Sequence, residues 1–221
     1  CKVGDFNADG RDDLVSFSRA TGSYGNVFVT LSGSVSGVER FLDTQVWNGY
    51  FCVGSEWCEV GDFNGDHRDD IALFIRSAYG DTSRAGDVEV ALSTGGLTSG
   101  LFINPGYLWH YFFCINQEWC QTGDFNGDGK SDILWLHTSG AVYIWLVRGS
   151  SVELRHVSSV PPGWGLLEGN TDLNNDKKSD LTWRHANGTV VVWLMNGGTP
   201  LRQEIVGTVD LTWKLVSRFK R

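Results

Sequence analysis

The sequence predicts an all-β protein built from four repeats. A run of the form Asp-x-Asn-x-Asp-x-x-x-Asp occurs four times, beginning at residues 5, 62, 124 and 172. Each run is followed by a short apolar strand and then by a strand of alternating character, and no stretch shows helical periodicity. A repeat of roughly 50 to 60 residues is the size of one propeller blade or one solenoid unit.

Each repeat has the same order of elements. An aromatic stretch comes first, and the Asp-rich loop then leads directly into the apolar strand, as in DLVSF at 13–17 and DILWL at 132–136. A Gly-rich turn and the alternating strand follow, as in AVYIWLV at 141–147, and a divergent return completes the unit. We therefore predict a single repeat domain over residues 1–221, with units at roughly 1–45, 46–107, 108–160 and 161–221.

The loops carry oxygen donors at regular positions. With the first Asp as position 1, the side chains at positions 1, 3, 5 and 9 are Asp or Asn, and the Arg or Lys at position 7 can offer only its backbone carbonyl. Carboxylates at this spacing repel one another unless a hard cation binds them, and oxygen ligands in a flexible loop favour Ca²⁺. We predict up to four calcium sites. The predicted ligands are Asp5, Asn7, Asp9, Arg11 and Asp13; Asp62, Asn64, Asp66, Arg68 and Asp70; Asp124, Asn126, Asp128, Lys130 and Asp132; and Asp172, Asn174, Asp176, Lys178 and Asp180.

These loops differ from the EF-hand, which closes with a bidentate Glu at position 12, because no loop has Glu there. Position 6 favours glycine at positive φ, which Gly10 and Gly129 supply, whereas His67 and Lys177 do not. A bulky residue in the left-handed region costs about 1 kcal/mol. We therefore expect the second and fourth loops to bind calcium more weakly than the first and third.

Four of the five cysteines form two pairs with Cys-x5-Cys spacing, Cys52 with Cys58 and Cys114 with Cys120. A local disulfide in each pair is favoured over a zinc site, which usually has shorter gaps, and disulfides indicate an oxidising, extracytoplasmic setting. Cys1 stands at the same distance before its loop as Cys58 and Cys120 do. We interpret it as the second half of a pair whose first cysteine lies upstream, with a lipoprotein N-terminus as the alternative.

Composition excludes several classes of function. The formal charge of −8 and the lack of a basic stripe make nucleic acid a poor partner, and no apolar run approaches the length of a membrane span. The sequence holds no GxSxG, HExxH or Walker motif, and no carboxylate pair outside the loops has the spacing of an acid/base couple. We therefore predict that the chain is not an enzyme.

The ten tryptophans recur at fixed distances from the loops, which indicates packing between repeats rather than ligand binding. The first two repeats have longer insertions after the apolar strand. These insertions are candidates for a variable recognition edge, although a solvated loop is the simpler reading. The residues concerned are Arg19, Tyr24, Arg76, Tyr79 and Arg84.

Three segments, GDFNADGRDDLV at 4–15, GDFNGDHRDDIAL at 61–73 and GDFNGDGKSDIL at 123–134, resemble the FG-GAP or VCBS repeat of integrin-alpha-like β-propellers. TDLNNDKKSDLTW at 171–183 resembles a degenerate copy. The resemblance implies an all-β fold, a β-propeller of FG-GAP/VCBS blades in which the loop Asp and Asn residues bind calcium. Propellers of this family usually have seven blades and this chain supplies about four, which leaves open a longer protein, a small propeller or a multi-chain assembly.

At the C-terminal end, Arg218 occupies the place of the first loop Asp, so we expect the repeat series to end there. The function expected from the resemblance is that of a secreted, bacterial-type, calcium-stabilised module for binding or adhesion, with a glycan or an extracellular protein as partner. One alternative is an extracellular fibre or matrix protein that self-associates through complementary end strands. Another is a non-catalytic appendage of a secreted hydrolase.

Overall fold

The computed structural model describes residues 1–19, 25–54, 56–76, 84–96, 102–104, 108–110 and 113–213. The regular elements in these ranges are β-strands, which confirms the all-β prediction. Within the same ranges, no helix has the length and hydropathy needed to cross a membrane.

The strands form four larger sheets, each of them antiparallel. The first sheet has the order β1 (Lys2–Gly4), β2 (Asp13–Phe17), β3 (Val27–Thr30) and β6 (Gln45–Asn48), and a separate hairpin consists of β4 (Ser32–Val35) and β5 (Val38–Phe41). The second sheet consists of β7 (Trp57–Gly61), β8 (Asp70–Phe74), β9 (Asp87–Ser93) and β10 (Phe102–Ile103), and β11 (Leu108–His110) also pairs with β9.

The other two sheets repeat this plan with longer outer strands. The third has the order β12 (Trp119–Gly123), β13 (Asp132–Leu136), β14 (Ala141–Arg148) and β15 (Ser151–Ser159). The fourth has the order β16 (Trp164–Thr171), β17 (Asp180–His185), β18 (Thr189–Asn196) and β19 (Thr199–Thr208). The sheets group the strands slightly differently from the predicted units, because β6 crosses the boundary at 45/46 and β11 pairs within the second sheet.

Strand register fixes the place of every Asp-rich loop. In each sheet, the residue before the loop pairs with the position 9 Asp that follows it, as in Gly4 with Asp13 and Gly123 with Asp132. The second and fourth sheets repeat this pairing at Asp70 and Asp180. The four loops are therefore equivalent connections between the first two strands of their sheets.

The chain divides into two compact units, Cys1–Asn116 with Gly149–Ser151 and Gln117–Arg148 with Val152–Arg221. The core of the first unit contains Phe6, Trp47 and Phe102, whose ring centroids lie 5.4 to 6.4 Å apart. The core of the second contains Trp183 and Trp193, whose ring centroids are 5.0 Å apart. Each unit thus encloses aromatic side chains between its own successive sheets.

Two tryptophans do not fit the prediction that all ten serve in packing. Trp119 is 42% exposed and Trp213 is 67% exposed, so the prediction is wrong for these two. Trp119 begins β12, at the end of the third sheet away from its Asp-rich loop, whereas Trp213 follows β19 and lies outside the strands.

The predicted disulfides are confirmed. Cys52 and Cys58 are bonded with their Cα atoms 6.0 Å apart, and Cys114 and Cys120 are also disulfide-bonded. Cys1 is a free, exposed thiol.

Candidate metal centres

The four Asp-rich loops share one pattern of hydrogen bonds. In each loop, the position 1 carboxylate accepts the backbone N–H of position 6 at 2.8 to 2.9 Å. The position 3 Asn oxygen accepts the N–H of position 5 at 2.8 to 3.0 Å, and the position 5 carboxylate accepts the N–H of position 7 at 2.9 to 3.0 Å. The short spacing of Asp and Asn therefore builds nested turns in which side-chain oxygens replace backbone acceptors.

Two backbone positions in every loop are left-handed. Position 6 has φ values of 82° at Gly10, 67° at His67, 81° at Gly129 and 66° at Lys177, which confirms the conformation predicted there. Position 4 is also left-handed, at Ala8, Gly65, Gly127 and Asn175. Sequence reasoning missed position 4, although glycine or asparagine in three of the four loops was an available signal.

The position 9 Asp faces the interior of each loop. Asp70 is fully buried, and its two carboxylate oxygens accept the backbone N–H groups of Phe63 at 2.9 Å and Ser93 at 2.7 Å. Asp13, Asp132 and Asp180 accept the N–H groups of the equivalent positions in their own repeats. The position 9 carboxylate thus joins the loop to the third strand region of its sheet.

Burial opposes ionisation of these inner carboxylates. It raises the pKa of Asp70 to about 8, that of Asp132 to about 7 and that of Asp13 to about 6, and the pKa of Asp180 is raised in the same way. Accepted backbone hydrogen bonds lower each pKa, whereas the loop carboxylates at positions 1 and 5 add to the rise at Asp70, Asp132 and Asp180. In these three loops, the carboxylates at positions 1 and 5 therefore disfavour ionisation of the position 9 carboxylate.

The basic residue at position 7 has a role that the sequence prediction did not include. Arg68 forms an ion pair with Asp66, its neighbour at position 5, and its Nε donates to the carbonyl of Ser93 at 3.2 Å. Arg11 Nη1 and Lys178 Nζ each lie 3.9 Å from the position 5 carboxylate of their own loops. In these three loops, a side-chain cation already offsets part of the negative charge.

The donor set of the loops fits a hard cation. In the first, second and fourth loops, one N–H at position 5 is shared by the position 1 and position 3 oxygens at 2.8 to 3.3 Å, so these two oxygens converge. The position 3 oxygen accepts this one N–H and keeps a second lone pair for a metal ion, whereas Oδ1 of Asp62 and of Asp172 also accepts the N–H groups of positions 3 and 4. Within the described ranges, no three His, Cys, Asp or Glu side chains are gathered as a metal centre. The predicted calcium ligands stay a prediction.

The loops also connect successive sheets within each unit. In the first unit, Asp69 N donates to the Asp5 carbonyl at 2.7 Å, and Ser93 Oγ donates to the Phe6 carbonyl at 2.6 Å. In the second unit, the N–H groups of Ser179 and Gly197 donate to the Asp124 and Phe125 carbonyls at 2.6 and 2.8 Å. The same two carbonyls of an Asp-rich loop therefore receive hydrogen bonds from the next sheet in both units.

The glycine before the loop makes this approach possible. A Cβ atom at Gly4 would lie 2.7 Å from Asp69 Oδ2, and one at Gly123 would lie 2.7 Å from Ser179 Oγ. Position 8 of the following loop thus packs directly on the backbone of the preceding one.

The predicted recognition edge is described only in part, because Tyr24 and Tyr79 lie outside the described residues, as does Arg218. Arg19 Nη2 donates to Cys52 Sγ at 2.9 Å, and the Arg76 guanidinium lies 4.9 Å from the ring centroid of Trp57. Arg84 forms ion pairs with Asp87 and Glu89. The structure therefore places all three arginines in contacts within their own unit.

Comparison with known proteins bears on the third repeat. Residues 121–145 match the model of the FG-GAP repeat, a segment that contains the third Asp-rich loop, β13 and part of β14. A search among curated proteins finds no match for the chain. The matched segment has the loop and strand order seen in all four sheets, with the glycine before the loop that the first two sheets also have, and the chain therefore contains an FG-GAP repeat at residues 121–145.

Proposed function

We propose that this chain is a non-catalytic extracellular binding module of the β-propeller type, in which calcium ions at the four Asp-rich loops stabilise the fold. The observation that carries the proposal is the loop geometry, with a carboxylate at position 5 in every loop and converging oxygens at positions 1 and 3 in the first, second and fourth loops. The FG-GAP match at 121–145 supports the module type. The two disulfides support an oxidising, extracellular setting.

Calcium would be held by the side chains at positions 1, 3 and 5, by the backbone carbonyl at position 7 and by the position 9 carboxylate. The bound ion would supply positive charge among carboxylates that otherwise repel one another. Four such ions would offset the formal charge of −8. Because loop carbonyls accept hydrogen bonds from the next sheet, ordering a loop also orders the contact between sheets.

Calcium titration by isothermal calorimetry tests the proposal. We expect up to four sites, and we expect Asp124→Ala to remove one of them because it deletes the position 1 ligand. Asp43→Ala is the matched control, since Asp43 is exposed and lies outside the loops. The proposal fails if the protein takes up no calcium, or if Asp124→Ala and Asp43→Ala bind the same number of ions.

A second candidate function is self-association, and the outer strand of the fourth sheet favours it. β19 is an edge strand, and its side chains Leu201, Ile205 and Val206 are 64%, 76% and 67% exposed. Exposed apolar edge strands are sites at which another strand can pair. Sedimentation with and without calcium tests this candidate, and a monomer under both conditions eliminates it. If the chain does associate, Ile205→Lys is expected to dissociate the assembly.

A further inference from the structure

A pocket of about 300 Å³ lies within the second unit, at the end of the third sheet opposite its Asp-rich loop. It is bounded by the start of β12, the turn between β13 and β14 and the segment 160–164 before β16. Its principal lining residues are Gln117, Trp119, His137, Thr138, Pro161 and Trp164. Pockets of this volume are at the lower end of the range that accommodates small ligands.

Backbone hydrogen bonds hold the walls of this pocket in place. Gly140 N donates to the His137 carbonyl at 2.9 Å, and Val160 N donates to the Gly140 carbonyl at 2.9 Å. Gly140 has a φ of 88°, and a Cβ atom there would lie 2.3 Å from the Val160 carbonyl oxygen. Only glycine can adopt this φ and leave space for the Val160 carbonyl oxygen. The turn between β13 and β14 therefore packs directly against the 160–164 segment.

The imidazole of His137 is fixed from both sides. Its Nδ1 accepts the N–H of Ser139 at 3.1 Å and lies 2.7 Å from Ser139 Oγ, and its Nε2 lies 3.4 Å from Glu118 Oε1. Glu118 is only 4% exposed, and its other oxygen accepts the Nε1–H of Trp135 at 3.0 Å. This buried carboxylate therefore positions one wall of the pocket before any ligand arrives.

In the second sheet, an arginine side chain lies against the tryptophan that is equivalent to Trp119. Trp57 pairs with Phe74 as Trp119 pairs with Leu136, so the two tryptophans are equivalent in register. The Arg76 guanidinium lies 4.9 Å from the Trp57 ring centroid, whereas Thr138 stands at the place of Arg76 in the third sheet. Thr138 has a shorter side chain than arginine and lines the pocket together with Trp119, which is 42% exposed.

In the fourth sheet, a different arginine occupies the corresponding end of the sheet. Gly165 and Arg184 are the equivalents of Trp119 and Leu136. The Arg184 guanidinium donates to the carbonyls of Leu211 and Trp213, both at 2.8 Å, and so occupies this end of the sheet. In each comparison an arginine lies at this end of the sheet, Arg76 at the position of Thr138 and Arg184 at the position of Leu136.

The lining determines the class of ligand. Among the described residues that line the pocket there is no Asp, Glu, Lys or Arg, which favours an uncharged ligand. The indole rings of Trp119 and Trp164 supply apolar surface, although the Trp164 ring also lies 5.1 Å from the His185 ring, and the Gln117 amide with the Thr138 and Ser139 hydroxyls supplies polar groups beside them. A sugar ring presents the same combination, since its C–H groups make an apolar face and its hydroxyls both donate and accept.

We propose that this pocket binds a neutral sugar residue of a glycan, with Trp119 and Trp164 as stacking surfaces. The inference rests on the proposed function as a binding module and names the site and ligand class for it. Arg76 over Trp57 shows that an arginine can cover the equivalent tryptophan, so Thr138→Arg is designed to close the pocket without removing any group of the core.

Saturation-transfer NMR and calorimetry against a panel of neutral mono- to tetrasaccharides of glucose, galactose, mannose, fucose and N-acetylhexosamines test the proposal. We expect wild type to bind at least one of them, and Trp119→Ala and Thr138→Arg each to weaken that binding by about tenfold or more. Trp213→Ala is the control, because Trp213 is more exposed than Trp119 but lies outside the pocket. It is expected to keep the affinity within about twofold.

The proposal is overturned if wild type binds no neutral saccharide of the panel, if Trp119→Ala and Thr138→Arg bind as wild type does, or if a proline-rich peptide binds more tightly than every saccharide. Circular dichroism of each variant confirms that it folds. Calcium binding is measured on the same samples. Intact calcium binding without saccharide binding overturns only the pocket proposal, whereas loss of calcium binding in wild type counts against the proposed function.

Discussion

His67 and Lys177 hold the backbone conformation that glycine supplies in the first and third loops, with φ values of 67° and 66°. A Cβ atom in the left-handed region costs about 1–2 kcal/mol, and the nested hydrogen bonds of the loop enforce this conformation whatever residue is present. The third loop has glycine at both left-handed positions, whereas the fourth has Asn175 and Lys177. The expected order of calcium affinity therefore places the third loop first and the fourth last.

Replacing Lys177 with glycine is expected to raise the free energy of unfolding by about 1 kcal/mol, because glycine adopts this φ without strain. Urea unfolding measures the change. Lys130→Gly is the matched control, since Lys130 follows the left-handed residue of the third loop and is absent from the residues with positive φ. Equal effects of the two substitutions would contradict the strain argument.

The inner Asp at position 9 contributes to stability through backbone hydrogen bonds as well as any metal contact. Asp70→Ala leaves the buried N–H groups of Phe63 and Ser93 without their acceptor, which is expected to cost about 2 kcal/mol or more. The measurement is urea unfolding in EDTA, where calcium makes no contribution. Exposed Asp43→Ala is the control. A loss no larger than that of the control would show that Asp70 does not cap these groups.

At the scale of the element, contact between successive sheets depends on a glycine at the end of the first strand. Gly123→Ala would place a Cβ atom 2.7 Å from Ser179 Oγ and 2.9 Å from the Gly169 carbonyl oxygen. We expect a destabilisation of about 1–3 kcal/mol, because neither the loop nor the next sheet can withdraw without losing hydrogen bonds. Chemical unfolding of the variant measures it.

Gly165→Ala is the control for this element, since the nearest atom to its new Cβ would be the Arg184 carbonyl oxygen at 4.0 Å. This substitution is expected to change the free energy of unfolding by less than about 0.5 kcal/mol. If Gly123→Ala is equally neutral, the sheets of the second unit do not pack as closely as the structure has them.

Strand order and loop position were predictable because the Asp-rich run and the strand after it are local signals repeated four times. The left-handed position 6 was predictable for the same reason. The inward direction of Asp70 and the contact of Gly123 with Ser179 were not, because both depend on which distant backbone groups come together. Trp119 shows the same limit. It stands at the same distance before its loop as Trp57, but only the structure shows that Trp57 lies under the Arg76 guanidinium and that Trp119 is 42% exposed.

At the scale of the whole molecule, the four loops are the feature that every repeat shares, and each one links strands of its own sheet. The two units use the loops in the same way, with carbonyls at positions 1 and 2 accepting hydrogen bonds from the next sheet. An ion that binds only the ordered loop adds free energy to the folded state by mass action. Stability is therefore expected to depend on calcium in both units.

Thermal unfolding in about 1 mM CaCl₂ and in EDTA tests the central claim most directly. For sites with a Kd of about 0.1 mM, each occupied loop adds about 1.4 kcal/mol, and several loops together are expected to raise the Tm by about 5 °C or more. Magnesium at the same concentration is expected to raise the Tm by less than calcium does, because it demands a tighter octahedral shell. Identical melting in calcium and in EDTA would contradict the claim that these loops are structural calcium sites.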